Sequence, residues 1–340
     1  MKHPKKGILL VNLGTPDSPN TPDVRRYLRQ FLMDARVIDI RFIKRWMLVN
    51  LIIAPLRAPK SAKEYQKLWE KRGSPLKFYG EDVKEKLQQK LGNNFLVELG
   101  MRYQNPSIEL SITKLKNEGV DEIVVVPLFP QYASATTGSV IEEVNGVVSQ
   151  WQTIPNLRFV NKFFDQPKYI AAFSANAKPL IEQTKYDHIV FSYHGLPERQ
   201  IKKASTQGYC QLSDKCCATY NTKNQLCYRA QCFETTRLLA NALNLKENEY
   251  TTTFQSRLGK DPWIKPYTDE VLTQLAAKGI KKVLAFSPAF IADCLETTVE
   301  VGQLFKEQFI EAGGEVWDLV PSLNSSDVWV ECLEEIVLER

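Results

Sequence analysis

An α/β fold in two similar lobes, each an open parallel sheet flanked by helices, is predicted by three observations. Short apolar runs alternate along the chain with amphipathic stretches, the pattern of βαβ units. Several runs are continuously apolar, as in Ile123-Val124-Val125-Val126, which fits strands buried on both faces of a parallel sheet. The length, 340 residues, exceeds one ordinary domain and suits two.

Taken in order, the expected strands of the first lobe are 7–13, 95–101, 122–128 and 158–163, and those of the second are 188–193, 250–255, 281–287 and 315–320. Between them, 106–117, 165–183, 236–243, 268–278 and 297–312 carry apolar residues three and four apart, the spacing of a helix with one buried face. The expected division is 1–165 for the first lobe, 166–320 for the second and 321–340 for a C-terminal helix. No tight internal repeat or low-complexity segment is visible.

Composition narrows the function. Apolar residues make up 44% and charged residues 24%, which is globular. The formal charge of +5 comes from 44 basic and 39 acidic side chains spread along the chain, so no nucleic-acid partner is expected. The basic start, Met1–Lys6, is not followed by a cleavage site of small residues, so no signal peptide is expected. The apolar run Met47–Ala54 is far short of the roughly 20 residues that span a bilayer. A cytoplasmic location follows, in which the seven cysteines are thiols or metal ligands rather than disulfides.

In open α/β sheets ligands sit beyond the carboxyl ends of the strands. The loops there are rich in Gly, Pro, Ser and aromatics: Asn12-Leu13-Gly14-Thr15-Pro16, Pro127 to Tyr132, His194-Gly195-Leu196-Pro197 and Ser287-Pro288-Ala289-Phe290. The three histidines are His3 in the basic start, His188 opening a strand, and His194 just past one. On a loop with Gly195 and Pro197, His194 has the position of a base, a ligand or a plain polar loop residue. Glu296 and Glu300, four apart at the start of a helix, share a face. Such a pair commonly just complements the helix dipole; at the same sheet end as His194 it also suits proton or cation transfer.

Seven ordered segments give a specific resemblance. They are Leu10 to Pro16, Arg102-Tyr103, Pro127 to Tyr132, Ser192-Tyr193-His194-Gly195-Leu196-Pro197, Phe254-Gln255-Ser256-Arg257, Pro262-Trp263 with Pro266 to Glu270, and Asp293-Cys294-Leu295-Glu296-Thr297. Together they resemble the ferrochelatase family over almost the whole chain. The resemblance implies two Rossmann-like, chelatase-like lobes with a porphyrin cleft between them. It implies that His194 and Glu296 face each other across the macrocycle, with Fe²⁺ as the substrate metal. It also implies the last step of heme biosynthesis, with protoporphyrin IX as the acceptor and coproporphyrin III as the alternative. A non-catalytic porphyrin or heme carrier is the rival of another class, and chelatases of more carboxylated rings would call for more basic loops.

The chemistry matches these residue types. Metallation replaces two pyrrole N–H protons by one Fe²⁺, and a neutral imidazole suits both proton abstraction and transient ligation of borderline iron. His194 is therefore expected as proton acceptor, with Glu296 and Glu300 moving protons or metal; the side of iron entry stays open. Leu13, Tyr103, Tyr193, Trp263 and Phe290 are expected ring walls, and Arg102, Ser134 and Thr136 polar contacts, although an aromatic is more often plain core. The segment 42–59, apolar with Arg41, Lys44, Arg45 and Arg57, resembles the lip of the family's porphyrin mouth and would suit peripheral membrane contact.

Five cysteines fall between 208 and 232 as C-x5-C-C-x9-C-x4-C: Cys210, Cys216, Cys217, Cys227 and Cys232. Thiols this dense in a reducing compartment suit a [2Fe–2S] cluster, a structural zinc or an inert set of loop thiols. Some ferrochelatases carry a [2Fe–2S] cluster within one internal segment. By that resemblance a cluster is expected on Cys210, Cys217, Cys227 and Cys232, with Cys216 as an alternate. Cys232 lies in a helix start that family members without a cluster also have.

Overall fold

The computed structural model describes residues 6–205, 208–259 and 261–339, with only the backbone of Asp214. His3 lies outside the described residues. Among the described residues, eight strands form two four-stranded sheets. β1 (Lys6–Gly14), β2 (Phe95–Tyr103), β3 (Glu122–Pro127) and β4 (Asn156–Phe159) make the first, in the order β2-β1-β3-β4. β5 (His188–His194), β6 (Tyr250–Gln255), β7 (Lys282–Phe286) and β8 (Val316–Leu319) make the second, in the order β6-β5-β7-β8. Every pairing is parallel.

The chain divides into two compact units. One comprises Met1–Phe129, Ala133–Asn161 and Val330–Arg340; the other comprises Pro130–Tyr132 and Lys162–Trp329. The last helix, Asp327–Leu338, crosses that division.

The burial explains the apolar runs. Ile8 to Val11 and Ile123 to Val126 are closed to water on both faces of the first sheet. The helices Ile108–Asn117 and Ser139–Val148 cover one face with Ile112, Leu115, Val140 and Val144. Burying one such side chain stabilises by roughly 1.5–3 kcal/mol. The second unit repeats the plan, with Val190, Val283 and Ala285 packed under Leu272, Val301, Phe309 and Trp317.

Several boundaries differ from expectation for identifiable reasons. The expected strand 158–163 stops at Phe159, and Phe163 and Phe164 become core side chains. The helix expected at 236–243 begins earlier, at Tyr228, with Cys227 as its N-cap residue. The stretch expected as one helix, 297–312, is a π-helical segment Leu295–Leu304 followed by an α-helix Phe305–Glu311.

Gly14 closes β1 with φ +112°, and a Cβ there would lie 1.9 Å from the Tyr103 carbonyl oxygen, so only glycine fits. On the first unit, Phe42, Ile43, Trp46, Met47, Leu51, Ile52 and Leu56 are 45–74% exposed, beside exposed Arg41, Lys44 and Arg57. Arg45 departs from the basic flank expected there: it is buried and donates to the Ile38 and Ile40 carbonyls. No described helix is long and apolar enough to cross a membrane.

Candidate active site

The second unit collects His194, Glu296 and Glu300 at one end of its sheet. His194 is the last residue of β5. Its Nδ1 lies 2.6 Å from the Gly195 carbonyl oxygen. A carbonyl only accepts, so Nδ1 carries the proton and the neutral ring keeps its lone pair on Nε2. The backbone carbonyl of His194 accepts from the Tyr228 hydroxyl at 2.8 Å. Trp263 and Phe290 flank the imidazole, with ring centroids 6.3 and 6.5 Å away.

Gly195 makes this close packing possible. Its N–H donates to the Gln255 carbonyl at 2.9 Å, and a Cβ would meet that oxygen at 2.9 Å and the Trp263 ring at 3.1 Å. Trp263 is fixed by its indole N–H, which donates to the Leu258 carbonyl at 2.9 Å, and it leaves part of its ring exposed.

Glu296 and Glu300 project from the π-helical segment Leu295–Leu304. Glu300 accepts from the Ser256 N–H at 3.0 Å, from the Ser256 hydroxyl, and more weakly from the Gln255 amide at 3.4 Å. Burial pushes its carboxyl above the ordinary range. The Ser256 donors and nearby His194 pull it back, while Glu296 adds to the push. Glu300 therefore feels both of the other expected groups.

Other expected site residues fare differently. Tyr193 is fully buried and its hydroxyl pairs with Thr236 at 3.0 Å; burial pushes that phenol far up. Tyr103, in the first unit, is fully buried too. Neither offers a ring face, which corrects their expected role as walls: a tyrosine whose hydroxyl finds a buried partner is ordinary core. Arg102 is committed to Asp34 at 2.9 Å, Glu143 at 3.2 Å and the Ser139 hydroxyl at 2.6 Å. That pairing withdraws it as a free donor. Ser134 accepts from Arg36 at 3.1 Å. Leu13 and Thr136 are partly exposed. His188 is buried, with its Nε2 2.8 Å from the Thr251 hydroxyl, and burial lowers its pKa.

The cysteine segment folds locally within the second unit. Cys216 and Cys217 have sulfurs 3.9 Å apart; Cys210 hydrogen-bonds Cys216, and Cys217 hydrogen-bonds Cys227. The bond from Cys217, with N–H groups of Ala230 and Arg229, holds the Cys227 thiol below its ordinary pKa despite burial. Cys210, Cys216 and Cys227 line a cavity of about 80 Å³ with Tyr209 and Asn224. Cys232 is fully buried one helical turn further on and pairs with Tyr228. Among the described residues, no group of three or more His, Cys, Asp or Glu side chains stands ready to hold a metal ion.

Comparison with known proteins adds the decisive observation. The family model described as Ferrochelatase matches residues 5–340. The chain belongs to the ferrochelatase family.

A ferrochelatase of Legionella pneumophila (strain Lens) is 45% identical over 336 residues, covering 99% of each chain. A ferrochelatase of Coxiella burnetii is 45% identical over 333 residues, covering 98% of this chain and 93% of the relative. Among solved structures, SirB from Bacillus subtilis with Fe³⁺ aligns with a TM-score of 0.56 at 14% identity, covering 98% of this chain and 94% of that one. The sirohydrochlorin chelatase SirB in complex with cobalt aligns at 0.53 and 12%, over the same shares of the two chains. At such identity the likeness is one of fold: two Rossmann-like lobes. The chain is thus a metal chelatase, a lyase of the ferrochelatase family, with ferrous iron and a porphyrin as substrates.

Three polar residues of these clusters carried no expected role: Ser256, Tyr228 and Asp34. Ser256 lies within a family-like segment, but the segment does not say what it touches. Nothing near Asp34 in sequence announces the donors it collects.

Proposed function

We propose that this ferrochelatase inserts Fe²⁺ into protoporphyrin IX to give protoheme, with His194 as the first proton acceptor and Glu296 and Glu300 as the carboxylates that clear protons and guide the metal. The observation that carries this reading is the tie of Nδ1–H to the Gly195 carbonyl, which leaves Nε2 as a base with Glu300 close enough to influence. Nε2 takes one pyrrole N–H proton, and a carboxylate whose pKa burial has raised takes it on. The second proton leaves by the same route as Fe²⁺ binds the four nitrogens. Trp263 and Phe290 supply apolar contact for the ring.

His194→Ala tests the assignment. Porphyrin binding, read by fluorescence titration, should persist while metallation falls about 10²-fold or more. Undiminished metallation would remove His194 from the reaction, and a parent protein that binds porphyrin without turnover would make the chain a carrier. Turnover measured on both porphyrins decides the acceptor, and a preference for coproporphyrin III overturns protoporphyrin IX.

The thiols at Cys210, Cys217, Cys227 and Cys232, with Cys216 as an alternate, match a [2Fe–2S] cluster in donor type, and the Cys217 hydrogen bond lowers the pKa of the Cys227 thiol. Cys232 is buried like Cys216 and Cys217, and Cys216 stands as the alternate to its neighbour Cys217. Such a cluster would supply a one-electron redox centre. Visible absorption with iron and sulfide analysis tests it, and a colourless protein with stoichiometric zinc refutes it.

The exposed apolar strip of 42–56, with Arg41, Lys44 and Arg57 beside it, fits the surface of an anionic bilayer. Sedimentation with anionic vesicles but not without them is the expected result, weakened by Ile43→Glu.

A further inference from the structure

We propose that Ser256 is a positioning residue for Glu300, holding both oxygens of its carboxylate in the orientation that proton transfer needs. This rests on the reading of Glu300 given above and deepens it.

Ser256 follows the last residue of β6 and has φ +65°, a left-handed conformation that a non-glycine residue rarely adopts. Such strain persists only where the surroundings over-determine it. Here the turn brings two donors of one residue onto one carboxylate: the N–H onto Oε1 at 3.0 Å and the hydroxyl onto Oε2. An extended backbone at 256 would not aim both at Glu300.

The turn is anchored on each side. Before it, the Gln255 carbonyl accepts from the Gly195 N–H at 2.9 Å. The Gln255 amide donates to the Glu296 carbonyl at 3.2 Å, and its oxygen accepts from Ser192 at 2.6 Å. Ser192 lies 2.9 Å from Thr268, whose hydroxyl donates to Thr253 at 2.9 Å. After it, Arg257 is held by Asp269 at 2.6 Å and Glu270 at 3.0 Å. The residues on either side are thus fixed to different elements, and Ser256 is left facing Glu300. A chain selected for backbone comfort alone would carry glycine here.

The test uses Ser256→Gly and Ser256→Ala in the full chain. Glycine relieves the left-handed backbone and keeps the N–H while removing the hydroxyl; alanine removes the hydroxyl and keeps the strain. Both should lower kcat for metallation about tenfold or more, as loss of carboxylate orientation does. KM for porphyrin should stay within about twofold, and Ser256→Gly should unfold near the parent temperature, relief of the left-handed backbone offsetting the lost hydroxyl bond. Slower turnover without a matching loss of stability is not what a merely structural serine would give. If kcat of Ser256→Gly stays within about twofold of the parent, or if KM rises with kcat unchanged, the positioning role is wrong. Glu300→Gln, assayed alongside, separates the two claims. Full turnover by Glu300→Gln overturns the reading of Glu300 and this inference with it. Loss of turnover in Glu300→Gln with none in Ser256→Gly overturns this inference alone.

Discussion

Two carboxylates, one in each unit, are surrounded by similar partners and driven in opposite directions. Asp34 in the first unit would be pushed up by burial. The hydroxyls of Ser139 at 2.5 Å and Tyr103 at 2.9 Å, the Arg36 N–H at 2.7 Å and the Arg102 guanidinium together hold it below its ordinary pKa. Glu300 in the second unit has two donors from one serine, a distant amide and no guanidinium, so burial wins and its pKa rises. The number and charge of the donors decide the outcome. A carboxylate with several donors and a guanidinium is held below its ordinary range; one left short of donors is pushed above it.

Removing Asp34 should have the largest effect. Asp34→Ala leaves the half-buried Arg102 without its main partner, and thermal or denaturant unfolding should find the protein about 2–4 kcal/mol less stable. A loss under about 1 kcal/mol would mean that Arg102 re-pairs with Glu143 and that the contrast is overstated. Glu300→Gln should do the reverse. Its metallation rate should fall about hundredfold, roughly 2.7 kcal/mol, while its unfolding temperature holds or rises, because a neutral amide resists burial less. A destabilised Glu300→Gln would make the two carboxylates alike.

Tyr103→Phe removes one donor from Asp34 and should cost about 1 kcal/mol of stability. The smallest effect is confined to acid. Because the native pKa of Asp34 is lowered, its contribution is present above about pH 4 and is lost as pH falls through the native value. The stability gap between the parent and Asp34→Ala should therefore narrow below pH 4 and be constant from pH 5 to 7. A gap that widens in acid would contradict the sign.

Much of this was legible from local patterns. Continuous apolar runs such as Ile123 to Val126 announced strands closed on both faces, because only a sheet covered by helices leaves no position for a polar residue. The gathering of His194, Glu296 and Glu300 at one sheet end was legible because all three stand at or past strand ends of one α/β unit. Tyr193 and Tyr103 misled for a physical reason: a place at or just past a strand end does not say whether a ring faces a ligand or the protein's own core.

The sequence by itself determined the class of fold, the two-lobed plan, the family and the chemical types gathered at the strand ends. These follow from periodicity and from motifs contiguous in the chain. Only the tertiary structure decided which nitrogen of His194 carries the proton, that Ser256 grips Glu300 from 44 positions away, and that Asp34 is saturated while Glu300 is not. Hydrogen bonding and desolvation depend on distances between residues far apart in the chain, and no local pattern encodes them.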